Sequence, residues 1–137
     1  MPVASQALGE LGERVAERWM RRLGWRVLYR RFRSGRRDVD LVMEREGVVA
    51  FVEVKTRRGD DFGGPVAAVG WRKQRELSRS ALVWVDRHGR EGEEYRFDVV
   101  GVCGSKPSLR FRGSWGWGLW HARVRRANAK ALVAARD

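Results

Sequence analysis

Cysteine, histidine, lysine and long apolar runs are all scarce in this chain of 137 residues, and each scarcity excludes something. The single cysteine, Cys103, rules out an internal disulfide and fits a reducing compartment. It falls in the apolar run Val99–Cys103, where it reads as a small core residue. Two histidines, His88 and His121, and one cysteine leave no cluster with zinc-ligand spacing. Both histidines adjoin Gly-rich or polar sequence and read as surface residues. No apolar run approaches the ~18 residues of a membrane span, and no basic-then-apolar segment opens the chain. There are no internal repeats. These absences set the expectation of a cytoplasmic protein without a membrane partner.

What the chain does have is arginine, which supplies 25 of the 29 basic residues in a formal net charge of +12. A guanidinium contacts phosphate through two parallel hydrogen bonds, so a polyanion is the natural partner. The plainer alternative is a solvated basic surface. The charge is uneven: residues 104–137 carry a net +7 and residues 1–103 only +5. Much of the basic signal therefore belongs to a tail. The hydrophobic fraction, 43%, suits one globular core.

Periodicity lays out the elements. Leu8, Leu11, Val15 and Trp19 form an apolar stripe on a helix from Ser5 to Leu23, with Ser5 as N-cap and Gly24 as stop. Glu10, Glu13 and Glu17 lie off that stripe. Glu13 is the nearest of them, beside the small flank Gly9, Ala16 and Met20. It reads either as an exposed helix glutamate or as a side chain reaching a cleft between helix and sheet. Trp25 to Arg33 is a strand with Trp25, Val27 and Tyr29 on one face. A basic loop, Ser34 to Arg37, leads to a second strand around Asp40. Val48 to Lys55 is a third, and Thr56 to Pro65 a polar, Gly-rich loop expected to be mobile. A second helix starts at Ala67 or Trp71 and runs to Asp86, with Leu77, Ala81, Leu82 and Val85 toward the core. In the strand Tyr95–Cys103, Tyr95, Phe97 and Val99 alternate with Arg96 and Asp98. A short last strand is read at Leu109–Arg112. The expectation is an α/β domain over residues 1–112, a mixed sheet flanked by helices in the order α-β-β-β-α-β-β. Residues 113–137 form a basic Trp/Arg-rich tail. Its Trp115, Trp117 and Trp120 could stack on bases, pack on a second subunit as in a homodimer, or close the core. Arg123 to Ala135 reads as a short helix or a disordered end.

Three charges break the pattern of buried strand. Val48 to Val52 is apolar on both faces, as in a strand covered on both sides, and then Glu53 and Lys55 follow on one face. A carboxylate out of water is costly unless it is paired or bound to a cation. A two-residue turn at Glu46–Gly47 would pair Arg45 with Val48, Val42 with Phe51, and Asp40 with Glu53. Opposed residues have Cβ atoms roughly 5 Å apart, where like charges repel. Two facing carboxylates with a lysine alongside suggest a divalent cation.

The ordered set Asp40 … Glu53-Val54-Lys55, with a helical Glu13 upstream, resembles the PD-(D/E)XK nuclease superfamily. It is most similar to the YraN-like proteins, which share their pattern with archaeal Holliday junction resolvases. Gly9-Glu10-Leu11-Gly12-Glu13, Arg37-Asp38-Val39-Asp40-Leu41-Val42, Phe51-Val52-Glu53-Val54-Lys55-Thr56-Arg57, Phe62-Gly63, Lys73 and Arg96-Phe97-Asp98-Val99-Val100 carry the likeness, over about residues 9 to 102. The chain departs from the pattern at Asp38, where a Glu is usual, and at Arg31, where an Asn is usual.

The resemblance implies a restriction-endonuclease-like fold and metal-dependent hydrolysis of phosphodiester bonds, with branched or single-stranded DNA as candidate substrates. Asp40 and Glu53 would hold Mg²⁺ or Mn²⁺ with the Val54 carbonyl, and Glu13 would complete the shell. Lys55 would orient a water or neutralise the transition state. Arg33, Arg36, Arg57, Arg58 and Lys73 would hold the nucleic-acid backbone, Lys73 from a helix start that favours anions. The alternatives are a nucleic-acid-binding module that keeps the fold without cleavage, and an assembly factor docking through its Trp-rich tail.

Overall fold

A computed structural model describes residues 4–57, 71–103 and 106–113 of the chain. Helix α1 spans Ala4–Arg22, followed by strands β1 (Arg26–Ser34), β2 (Arg37–Arg45) and β3 (Val48–Arg57). Helix α2 (Trp71–His88) then leads to β4 (Glu94–Cys103) and β5 (Lys106–Gly113). The order α-β-β-β-α-β-β is the expected one. The five strands lie in sequence order across one sheet, antiparallel except for the parallel β3–β4 pair. A parallel pair cannot be closed by a hairpin, and α2 lies in its crossover. Among the described residues no helix is long and apolar enough to cross a membrane.

The helices cover opposite faces of the sheet. On the α2 face, Phe51 packs with Trp84, Tyr95 and Phe97, with ring centroids 5.8, 6.1 and 5.5 Å away. On the α1 face, Ala50 and Val52 pack with Ala16, Met20 and Val100. Strand β3 is thus buried on both sides, as its unbroken apolar run requires. Trp84, which the sequence reading left out of the core, is almost fully buried on the α2 face.

Two sequence expectations are corrected. Helix α1 does not bury the stripe through Leu11, which is 46% exposed. It turns its small flank inward instead: Gly12, Ala16 and Met20 are buried, with Val15 and Trp19 on the shoulder. Small residues let the helix axis approach β3, and that closeness outweighs the larger area of leucine. The contact is tightest at Gly12, where an added Cβ would lie 1.9 Å from Thr56 Oγ1. Gly12→Ala is therefore expected to lose about 1–3 kcal/mol of stability to overpacking, despite alanine's better helix propensity. Adding Thr56→Ala should recover part of it. Chemical denaturation of the single and double variants measures both, and an unchanged midpoint for Gly12→Ala would refute the close contact.

The second correction concerns β1. A bulge between Val27 and Tyr29 shifts its register on β2. Trp25 and Val27 stay on the α1 face, while the Tyr29 ring meets Phe32 edge-on at 5.5 Å on the α2 face. Helix α1 ends as expected at Gly24, φ 95°. Trp25 N–H donates to the Met20 carbonyl and Gly24 N–H to that of Arg21, a Schellman closure. The helix begins at Ala4, so Ser5 lies inside its first turn. His88 is exposed, with its ring 5.4 Å from that of Trp84. The loop 58–70, His121 and the tail from residue 114, with its tryptophans and arginines, lie outside the described residues, as does the side chain of Cys103.

Candidate metal centre

The centre begins with a turn. Glu46 and Gly47 both have positive φ, 51° and 79°, the backbone of a two-residue hairpin whose twist matches its strands. That turn pairs Arg45 with Val48, Val42 with Phe51 and Leu41 with Val52. One step further the same register sets Asp40 beside Glu53, but there the ladder between β2 and β3 stops. The Asp40 carboxylate replaces the missing backbone acceptor: Val54 N–H donates to its Oδ2 at 2.7 Å. A strand residue's N–H and C=O point to the same side, so the Val54 carbonyl also lies on the β2 side of β3.

Glu53 is buried, its side chain 7% exposed. Two ammonium groups meet it: Lys55 Nζ lies 3.7 Å from Oε1, and Lys73 Nζ, from the first turn of α2, is closer still. Lys73, expected at the phosphate backbone, instead sets its charge on Glu53. The burial of Asp40, reinforced by the charge of Glu53, pushes its carboxyl up to about 8, against the pull of Val54 N–H and Lys73. Burial pulls the Lys73 ammonium down, but Glu53 beside it outweighs this and leaves it raised. The site sets a part-buried Asp40 within reach of the charge of a buried Glu53, partly offset by two cations.

The remaining sequence candidates are distributed as follows. Glu13 is near enough for its charge to act on Asp40. Its own partner is Arg31, whose Nε donates to Glu13 Oε2 at 3.1 Å. Among the described residues no group of three or more His, Cys, Asp or Glu side chains is gathered to hold a metal. Arg33 is exposed, 3.8 Å from the exposed Asp38, and Arg36 is exposed in the β1–β2 turn. Arg58 and the side chain of Arg57 lie outside the described residues. The other arginines of β1 are met by acids: Arg26 by Glu44 and Arg30 by Glu17. Sequence reasoning noted Arg31 only as a departure from a pattern. The signal that would have placed it was the β1–β2 register, which the bulge conceals.

The chain belongs to the family described as Uncharacterised protein family UPF0102, whose model matches residues 12–102. This is the YraN-like group that the motifs suggested. It is similar to a UPF0102 protein of Trichlorobacter lovleyi, 43% identical over 109 residues, covering 77% of this chain and 86% of that protein. A UPF0102 protein of Symbiobacterium thermophilum is 46% identical over 100 residues, covering 72% of this chain and 83% of its own. The matched segment includes Asp40, Glu53, Lys55 and Lys73, and stops before the tail.

Proposed function

We propose that this protein is a metal-dependent nuclease of PD-(D/E)XK type, acting on phosphodiester bonds in DNA. The observation that carries the reading is the meeting of Asp40 and Glu53 where β2 and β3 part, with Lys55 and Lys73 on Glu53. A folded protein gains nothing in stability from a buried carboxylate set beside a part-buried one. The pair has a use if a cation sits between them.

The donor set suits a hard divalent ion. Asp40, Glu53 and the Val54 carbonyl offer only oxygen, the ligand type of Mg²⁺ and Mn²⁺. Asp40 spends one oxygen on Val54 N–H, which fixes the carboxylate and leaves Oδ1 for a ligand. When bound there, the ion would lower the pKa of a water and polarise the phosphoryl oxygen. Lys73 holds Glu53 in place. Lys55, on the same face, orients the attacking water or neutralises charge on the phosphoryl oxygens. The exposed Arg33 and Arg36, with Arg57 and Arg58, would hold the backbone of the substrate.

A panel of duplex, flap, four-way junction and single-stranded DNAs, and a matching RNA, incubated with Mn²⁺ or Mg²⁺, tests the reading. Cleavage is expected for a branched or single-stranded DNA and should cease in EDTA. Salt-sensitive binding of every substrate with no cleavage would favour a binding module of nuclease fold.

A further inference from the structure

Arg31 occupies an unusual place. The β1–β2 register pairs Arg30 with Leu41 and Phe32 with Val39, so Arg31 stands across from Asp40. Its backbone is left-handed, φ 50°, a conformation uncommon for an arginine. From there its guanidinium reaches α1, where Nε bonds Glu13 and a terminal nitrogen lies 3.6 Å from Glu10 Oε1. Glu13 is thus the third carboxylate of the neighbourhood, close enough for its charge to be felt at Asp40, yet tied to a cation.

We infer that Arg31 is a latch that withholds Glu13 from the Asp40–Glu53 site, and that a substrate phosphate competes for the guanidinium and releases it. The inference rests on the metal-centre reading and adds to it a positioning residue and an order of events. A phosphate presents the same paired oxygens as a carboxylate, and a guanidinium fork accepts either. Arg31 is half exposed, its side chain at 52%, so an anion arriving from solvent can reach it without unfolding the strand. Once Arg31 turns to the phosphate, the Glu13 carboxylate has lost its main partner and faces a cation centre nearby. The third carboxylate then arrives with the substrate, and the free protein holds metal less tightly.

The test is Mn²⁺ binding without nucleic acid, by calorimetry, to the wild type, Arg31→Asn, Glu13→Gln and the double variant. Asparagine tolerates the left-handed backbone but is too short to reach Glu13. Thermal melts confirm that each variant is folded, and Arg31→Lys serves as a second probe that keeps the charge and part of the latch. Arg31→Asn should bind Mn²⁺ about two- to fivefold tighter than wild type, the range that loss of one half-exposed ion pair allows. The gain should vanish when Glu13 is also Gln. If it persists there, Arg31 acts only through its charge and the latch is refuted; no gain at all refutes it equally. Linkage supplies a second readout. Ca²⁺ should tighten duplex DNA binding more in wild type than in Arg31→Asn, and equal effects would overturn release by phosphate. A wild type that binds no Mn²⁺ would overturn the metal centre as well, whereas Mn²⁺ binding lost in Glu53→Gln but unaffected by Arg31→Asn would remove the latch alone.

Discussion

Replacing Lys55 by alanine is expected to lower the cleavage rate at least about a hundredfold, the scale of losing one transition-state charge contact, while DNA binding and fold persist. Two lysines stand at Glu53, and geometry separates their roles. Lys73 is the nearer cation and the one whose ammonium Glu53 keeps raised. Lys55 is 3.7 Å away, with 30% of its side chain in solvent. It can bury its stem at the end of β3 and present its charge to the cleft. A charge used mainly in the transition state changes kcat more than binding. Lys73→Ala should show the complementary pattern. It removes the closer partner of a buried carboxylate, so the metal-free protein should lose about 2–4 kcal/mol, with Mn²⁺ restoring part of it. Glu53→Ala should stop cleavage through loss of metal, and excess metal should recover some activity. Single-turnover cleavage, filter binding and denaturant melts on the three variants separate these outcomes. Equal turnover by Lys55→Ala and wild type would remove its assigned role.

Some of this site was legible in the sequence and some was not, for physical reasons. The Asp40–Glu53 juxtaposition follows from local rules, because a two-residue turn at Glu46–Gly47 fixes the register of the whole hairpin. The buried run before Glu53 declares β3 a central strand. The inward face of α1 is not legible, because periodicity reflects apolar size and not how closely a helix can approach the sheet. Leu11 is the larger residue, but only Gly12 admits Thr56 at that distance. The face of Tyr29 was missed because a bulge adds one residue and leaves no periodic trace in β1. Lys73 was assigned to phosphate because helix starts favour anions; that the anion is Glu53 of the same chain is a tertiary fact. Arg31 depends on both the bulge and a left-handed backbone, neither of which arginine announces.

Stability of the metal-free protein is expected to fall as pH rises from about 4 to about 8, opposite to the usual acid sensitivity of folded proteins. The Asp40 carboxyl titrates at about 8 when folded and near 3.8 when not. Between these values the folded chain holds a proton that the unfolded chain has released. Unfolding then becomes easier with each pH step, by at most about 1.4 kcal/mol per unit. The contribution is complete below pH 4 and gone above pH 8. Glu44 is shifted the other way by its hydrogen bond to Arg26, so it opposes the trend only at the acid end of this window. Glu93 is raised by burial and adds to the trend, which makes Asp40→Asn the necessary control. That variant should be more stable than wild type near pH 8 and should lose most of the slope. Metal competes with the proton for the same carboxylate, so Mn²⁺ should stabilise the wild type increasingly toward pH 8 and release protons on binding. It should do little for Asp40→Asn. Urea melts in EDTA and in Mn²⁺ from pH 4 to 8.5 measure all of this. A wild type whose metal-free stability rises across that range, or an Asp40→Asn variant with the same slope, would mean that Asp40 is not held against Glu53, and the cation site would lose its physical basis.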